Sequence, residues 1–443
     1  MASVARRAAN QSTKVISFGP AYVPPLWRCV SGPCSHAMVA ACHACKVETA
    51  GKILKKSSGL ASRSAVVVNR KGADRVASGH PWIFASDVVA HGGAQPGDAV
   101  SVVDPRGKTL GNAHYSSTSQ ITLRMLGREP VDKTFFLHRL SAAIAHRERV
   151  VERSNACRLV FSEADLLPGL IVDRYDRCLV MQTLTQGMDR ARDLIAHCLT
   201  ELLAPAGILA RNDAGVRKLE GLEQEVVTLS GEVPERVHIE MNGLKLEADL
   251  LRGQKTGVYL DQRENYGAAA RWARGRVLDC FTSTGGFALH AAGKAESVEA
   301  VDSSGSALET AAANAQANDI SNIRWRQADL FEFLSGIERR YSMVILDPPA
   351  FAKSRRDVEA AARGYKEINL RALRLLDSGG VLVTCSCSHH MSEAALFQIV
   401  AEAALDAGKT LRVLERRTQS ADHPILLTVP ETHYLKCLIL QVI

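Results

Sequence analysis

The sequence predicts an α/β protein: a doubly wound parallel sheet in the C-terminal part, preceded by a small all-β module and a central α+β domain. Three observations carry this. From about residue 246, short apolar runs alternate with helical stretches in strict β/α order, the pattern of a parallel sheet covered on both faces. Two late apolar runs, 411–415 and 434–442, follow the last βα step and place one antiparallel strand near the sheet edge. At 443 residues the chain is also too long for one ordinary domain.

The elements follow in order. Residues 1–60 hold eight Lys and Arg and one acid, Glu48. This Arg-, Ser- and Ala-containing segment reads as a disordered extension or a targeting segment and is set apart from the fold. The all-β module spans 61–130, with apolar runs at 66–68, 99–103 and 120–125 and basic, turn-rich sequence before Gly79-His80-Pro81-Trp82-Ile83-Phe84. His80 and Trp82 are expected to plug its small core. A helical stretch at 133–153 opens the central domain, 131–245. Its strands lie at 158–161, 170–175, 178–183, 208–212 and 226–229, with a helix at 188–203. In 246–443 the strands are 277–281, 297–302, 323–327, 343–347 and 381–385, and helices at 306–318, 365–376 and 392–407 lie between and after them.

Charge is unevenly spread. The net +7 equals the excess of residues 1–60 alone; 61–150 carry +5 and 151–443 carry −5. A basic early module on a neutral body fits an enzyme with an RNA-gripping part. No apolar run reaches 18 residues, which argues against a membrane-spanning helix. The eleven cysteines show no disulfide framework, so a reducing, cytoplasmic setting follows. Cys29, Cys34, Cys42 and Cys45 offer one C-x₂-C spacing in an irregular segment, and no metal site is expected.

The first strand of the α/β region ends at Asp279-Cys280-Phe281, and Thr282-Ser283-Thr284-Gly285-Gly286 opens a helix. Two adjacent glycines let backbone pass close to a ligand. Asp302, 23 residues after Asp279, is placed to accept both ribose hydroxyls of a nucleoside cofactor, and Asp329 to accept an exocyclic adenine amine. NAD is the competing ligand. The G-x-G-x-x-G spacing that cradles a pyrophosphate is absent, which favours S-adenosylmethionine.

The fourth strand ends in Asp347-Pro348-Pro349-Ala350-Phe351 and the fifth in Thr384-Cys385-Ser386-Cys387-Ser388. Asp347 can hydrogen-bond a base, and Phe351 offers it a stacking face. C5 of a pyrimidine is too poor a nucleophile to attack a methyl sulfonium. A thiolate added at C6 moves electron density to C5. Cys387 is the expected nucleophile and Cys385 the second choice, with Lys353, Lys366 or a helix N-terminus lowering the thiol pKa. Both lysines could equally contact phosphate. A cysteine at a strand end is more often simply buried; the neighbouring Asp-Pro-Pro loop favours chemistry here.

On these residues the chain resembles the large-subunit ribosomal RNA methyltransferase I family over 61–443. The matching segments are GHPWIF (79–84), SEADLLPGLIVDRY (162–175), TGVYLDQREN (256–265), CFTSTGGFA (280–288), LDPPAFAKS (346–354), RGYKEIN (363–369), CSCS (385–388) and ADHP (421–424). The resemblance implies a PUA RNA-binding domain, a Rossmann-like class I methyltransferase domain and 5-methylcytosine formation in large-subunit ribosomal RNA. It implies that Tyr259, Asp261, Gln262 and Arg263 border the cofactor and substrate cleft. Phe281, Thr284 and Pro348 complete the expected cofactor contacts. Cys385 stands where an aromatic is more usual, and Ser283 where a tyrosine is. Lys71, Arg75, Arg106 and Lys108 are candidate phosphate contacts. The expected partner is ribosomal RNA, with no membrane; a homodimer stays open. The competing readings are an exocyclic-amine methyltransferase, a uracil C5 methyltransferase and a non-catalytic RNA-binding assembly factor.

Overall fold

The computed structural model describes residues 64–253, 255–351 and 355–443. Residues 1–60 with their four cysteines, and Lys353, lie outside the described residues.

The first sheet runs Trp82–Phe84, Ile121–Gly127, Thr109–Tyr115, Ala99–Val103, Ala65–Val68 and Val88–Ala90 from edge to edge. Val66, Val68, Ile83, Val100, Val102 and Leu123 form its core. The stretch read as turn-rich is instead a helix, Arg70–Ala77, capped by the Asn69 side chain on Gly72 N–H. Trp82 does not plug this core. Ile83 does, while Trp82 Nε1 reaches outward to donate to Glu163 Oε1 at 2.8 Å.

The second sheet orders Glu225–Gly231, Gly207–Asn212, Cys178–Thr183, Leu170–Tyr175 and Ala156–Phe161. Phe135, Phe136 and Leu140 of helix Lys133–Val150 and Ile195 and Leu199 of helix Arg192–Leu203 share its core. The helix read as 188–203 breaks at Ala191, after a short turn of helix Gln186–Arg190. A hairpin absent from the sequence reading, Arg236–Met241 and Leu244–Asp249, straddles the boundary set at 245. Val237, Ile239 and Leu246 join the core of the following α/β region.

That region holds seven strands: β1 Arg276–Cys280, β2 Ser297–Asp302, β3 Ile323–Gln327, β4 Tyr341–Leu346, β5 Leu376–Ser386, β6 Leu411–Thr418 and β7 Lys436–Val442. Their order is β3-β2-β1-β4-β5-β7-β6. All neighbours are parallel except β7, which runs antiparallel to both β5 and β6. Both faces are buried, as near-continuous apolar strands require.

Buried polar groups join the central domain to the α/β region. Arg147, 1% exposed, donates to Asp165 at 2.5 and 2.7 Å and to the Asp422 carbonyl at 2.8 Å. The Asp422 carboxylate accepts Arg158 N–H at 3.0 Å. Among the described residues, no helix is long and apolar enough to cross a membrane.

Candidate active site

Strand alternation builds the site. Val277, Ile345 and Cys385 of β1, β4 and β5 belong to one core face of the sheet; Leu278, Leu346 and Leu382 belong to the other. Asp279, Asp347 and Cys387 each lie two residues beyond the first set, on the same face, at the carboxyl ends of three neighbouring strands. Doubly wound sheets place their ligands there.

Asp347 is half-buried and accepts Gln262 Nε2 at 2.9 Å. Burial, then the Asp261 charge, raise its carboxyl to about 7 against the pull of Lys255. The half-buried Cys387 thiol is pushed up to about 11 by burial and by the Asp347 charge, with Lys255 opposing. Tyr259 lies among these groups: burial and the charges of Asp347, Asp261 and Cys387 all raise its phenol.

Asp261 is 2% exposed. Its Oδ2 accepts Lys255 Nζ at 2.5 Å and the Tyr434 hydroxyl at 2.6 Å, while Oδ1 has no partner. Burial pushes this carboxyl up, yet Lys255, His423 and Tyr434 hold it well below the usual carboxylate range. Two acids in one site are thus driven apart, a pattern that assigns acid and base roles. Behind Cys387, the buried Lys436 donates from Nζ to the Ser388 carbonyl at 2.7 Å and the Tyr434 carbonyl at 2.8 Å. Burial lowers its ammonium to about 8.

A cleft of about 1000 Å³ opens beside these groups, lined from all three parts of the chain by Trp82, Arg158, Arg211, Lys255, His389 and Tyr434 among others. Its volume suits a nucleotide rather than a single water.

The loop after β1 is tightly wound. Phe281, Ser283 and Gly285 take left-handed φ values of 62°, 49° and 87°. Two of the three are not glycine, and such backbone clusters at functional sites. Asp302 accepts Ser283 N–H on one oxygen and Ser304 N–H on the other, both at 2.9 Å. Each oxygen keeps a lone pair for a vicinal diol. Asp279 is fully buried; its Oδ2 accepts the Thr282 hydroxyl at 2.6 Å and its Oδ1 has no partner. Burial raises this carboxyl to about 7. An acceptor without a donor beside a left-handed loop and a ribose-ready aspartate fits S-adenosylmethionine, which carries an ammonium and a diol.

The other predicted residues divide. Thr284 and Gly286 lie in this loop, and Pro348 is buried after β4. A Cβ on Gly286 would come within 2.4 Å of the Tyr266 ring, so that glycine serves close packing. The exposed Asp329 caps helix Leu330–Gly336, Oδ1 taking the Phe331 and Glu332 N–H groups. Cys385, the second choice, is fully buried opposite Cys437, and burial holds its thiol well above its ordinary value. Arg263, which the resemblance places at the cleft, is 1% exposed, with its guanidinium 3.4 Å from Asp422 at the domain junction. Lys366 pairs with Asp406 at 2.9 Å and Glu402 at 3.6 Å on the helix surface. Phe351 packs on Tyr365 and Phe331, so its ring is largely occupied. Arg75 is held by the buried Asp87 and stacks on Phe84; Lys71 lies 3.9 Å from the same acid. Arg106 and Lys108 are exposed at a turn.

Sequence reasoning passed over Lys255, Tyr434 and Lys436. A lysine opening the apolar strand KCLILQV was a usable signal for the last. Lys255 adjoins a matched segment and offered none of its own.

A family profile described as a PUA-like domain matches residues 66–128. One described as an S-adenosylmethionine-dependent methyltransferase matches 217–440. Ribosomal RNA large subunit methyltransferase I of Tolumonas auensis is 44% identical over 379 residues, covering 82% of this chain and 96% of the relative. The Alteromonas mediterranea protein of the same name is 41% identical over 376 residues, covering 82% and 95%. A crystal structure of a methyltransferase complexed with SAH aligns with a TM-score of 0.74 at 19% identity, over 85% of this chain and 100% of that one. A SAM-dependent methyltransferase from Streptococcus mutans gives 0.73 at 19%, over the same shares. At such identity these two speak to the fold alone. The sheet order, the loop after β1 and the extended sequence identity lead to one assignment: this chain belongs to the ribosomal RNA large subunit methyltransferase I family and is an S-adenosylmethionine-dependent methyltransferase.

Proposed function

We propose that the protein methylates C5 of a cytosine in large-subunit ribosomal RNA through a Cys387 adduct at C6. The observation that carries this reading is the pairing of Asp347 and Cys387 on one face of adjacent strand ends, each within the electrostatic reach of the other. The names of the curated relatives and the PUA-like match support an RNA substrate of that kind.

Asp279, Asp302 and the loop 281–286 hold the cofactor, with Asp329 beside the end of β3 as the candidate adenine acceptor. When bound, S-adenosylmethionine supplies an electrophilic methyl group. Asp347, neutral below about pH 7, donates a hydrogen bond to cytosine N3 and accepts one from the N4 amine. The Cys387 thiolate bonds to C6, and the C5–C6 electron pair moves to C5. Once C5 carries the methyl group, loss of its proton restores the double bond and breaks the S–C6 bond. His389 and Tyr434 line the cleft with ring centroids 5.5 Å apart and planes tilted by 32°, and offer ring surface to an extruded base.

The test uses RNA containing 5-fluorocytidine, whose C5 fluorine cannot leave as a cation. Wild-type protein is expected to form an SDS-stable adduct and Cys387→Ala none, with methyl transfer to ordinary RNA abolished in the variant. Retained transfer to an exocyclic amine by Cys387→Ala, read by mass spectrometry of digested RNA, would overturn the thiolate reading. A 5-methyluracil product would overturn cytosine.

A further inference from the structure

The active-site groups crowd the carboxyl ends of the parallel strands. The amino ends, one strand length or roughly 17–20 Å behind them, carry a different chemistry. Five exposed arginines gather there: Arg274 just before β1, Arg276 at its start, Arg324 second in β3, and Arg339 and Arg340 leading into β4. They line two hollows of about 160 and 310 Å³ that share Arg276 and Tyr341. The two form one groove across the neighbouring strands β3, β2, β1, β4 and β5.

Two acids line this groove, and both are answered. Glu299 is buried, its oxygens taken by Arg326, Arg339 and the Tyr341 hydroxyl. Asp377 lies 3.9 Å from Arg340. Arg274 and Arg340 also donate to the Gly379 and Arg374 carbonyls. The Arg276 and Arg324 side chains have no hydrogen-bond or ion-pair partner among the described residues. Residues 151–443 sum to −5, so this concentration of cations runs against the charge of its own part of the chain. Every cation is an arginine, whose planar fork takes two phosphate oxygens at once.

We propose that this groove is a second RNA-binding surface, where Arg276 and Arg324 take the phosphate backbone of large-subunit ribosomal RNA flanking the target. The proposal rests on the reading of that RNA as substrate, and not on the chemistry at Cys387. The groove and the active site lie at opposite ends of one sheet, so a folded RNA meets both by wrapping along the domain. The bland role is a solvated sheet end, or cations that offset nearby helix C-termini. Neither makes RNA affinity depend on these two side chains.

The experiment measures retention of an unmodified transcript of large-subunit ribosomal RNA on filters by the full chain, from about 50 to 200 mM salt. The double variant Arg276→Gln/Arg324→Gln is expected to bind about tenfold more weakly at low salt and to flatten the log–log salt slope by about 1–2. Arg276→Lys/Arg324→Lys, which keeps both charges, is expected to stay within about threefold of wild type. In methyl transfer to the same transcript, the glutamine pair should raise KM about tenfold with kcat within about twofold of wild type. Calorimetric binding of S-adenosylmethionine reports folding; if the glutamine pair fails it, Arg324→Gln alone, on the edge strand, carries the test. Unchanged affinity and salt slope in a folded glutamine variant overturn the proposal, as does a fall in kcat with RNA affinity intact. A wild type that neither retains nor methylates the transcript overturns the substrate reading and the groove with it.

Discussion

Asp261 and Asp347 share one site in opposite states. Lys255 and Tyr434 hold Asp261 ionised, and its charge, added to burial, keeps Asp347 protonated up to about pH 7.

A pH–rate profile follows from Asp347 and Cys387. If one acts neutral and the other as thiolate, kcat/KM rises tenfold per pH unit below about 7 as the thiolate fraction grows. Above 7, loss of the Asp347 proton cancels that gain and the profile is flat until Cys387 titrates near 11. In Asp347→Asn the rise should continue past pH 7. Steady-state methyl transfer between pH 5.5 and 9.5 checks this, and a plateau that survives in Asp347→Asn contradicts the assignment.

Asp261→Asn removes the charge that raises both neighbours, so the Asp347 and Cys387 pKa values should fall together. The plateau then starts below pH 7, and iodoacetamide alkylates Cys387 a few-fold faster. The wild-type Asp261 pKa is depressed, so its contribution to stability is present above the unfolded value of about 3.9 and lost as pH falls below it. Acid unfolding of Asp261→Asn should lack that component.

Asp279 has the reverse sign. Its folded pKa of about 7 lies above the unfolded value, so stability is lost as pH rises from about 4 to 7. Asp279→Asn should make the cofactor-free protein more stable at pH 8 by up to a few kcal/mol. The same change should weaken S-adenosylmethionine binding about tenfold or more. Thermal melts with and without cofactor separate the effects; a variant that binds as wild type does removes Asp279 from the cofactor site.

Arg147→Met removes the guanidinium donors from Asp165, which keeps the Phe161 N–H, and from the Asp422 carbonyl inside the protein. Breaking such a buried pair costs about 3–5 kcal/mol. Urea unfolding is expected to show that loss; a change under 1 kcal/mol would mean the junction is held by packing alone.

The parallel sheet was legible because its strands are short, apolar and buried on both faces. β2 falls where its apolar run does, at Ser297–Asp302, whereas the edge strand β3, Ile323–Gln327, keeps its expected bounds although Arg324, Arg326 and Gln327 are polar and none of its residues is fully buried. Helix Arg70–Ala77 was not, since its buried position is Gly72, which gives no apolar signal. A Cβ there would lie 3.2 Å from Asp87, so the helix approaches the sheet through a residue without a side chain. The hairpin across 245 was readable: Asn242 and Gly243 have φ of 54° and 85° between alternating strands, the two-residue turn that Asn-Gly favours. At the site, strand ends gave Asp347 and Cys387 directly. Lys255, Tyr434 and the burial of Arg263 depend on pairings across 6, 173 and 159 residues. The last two belong to tertiary packing rather than to any local pattern.

The Asp422 knot ties helix Lys133–Val150, strand Ala156–Phe161 and the segment before β7 into one piece, with Trp82 braced on Glu163 alongside. A tool assembled this way behaves as a caliper with locked jaws. On the proposed function, a polynucleotide held by the first sheet would have to present its target at a set span from that hold, so the choice of nucleotide would become a matter of measured length along a folded RNA as much as of letters.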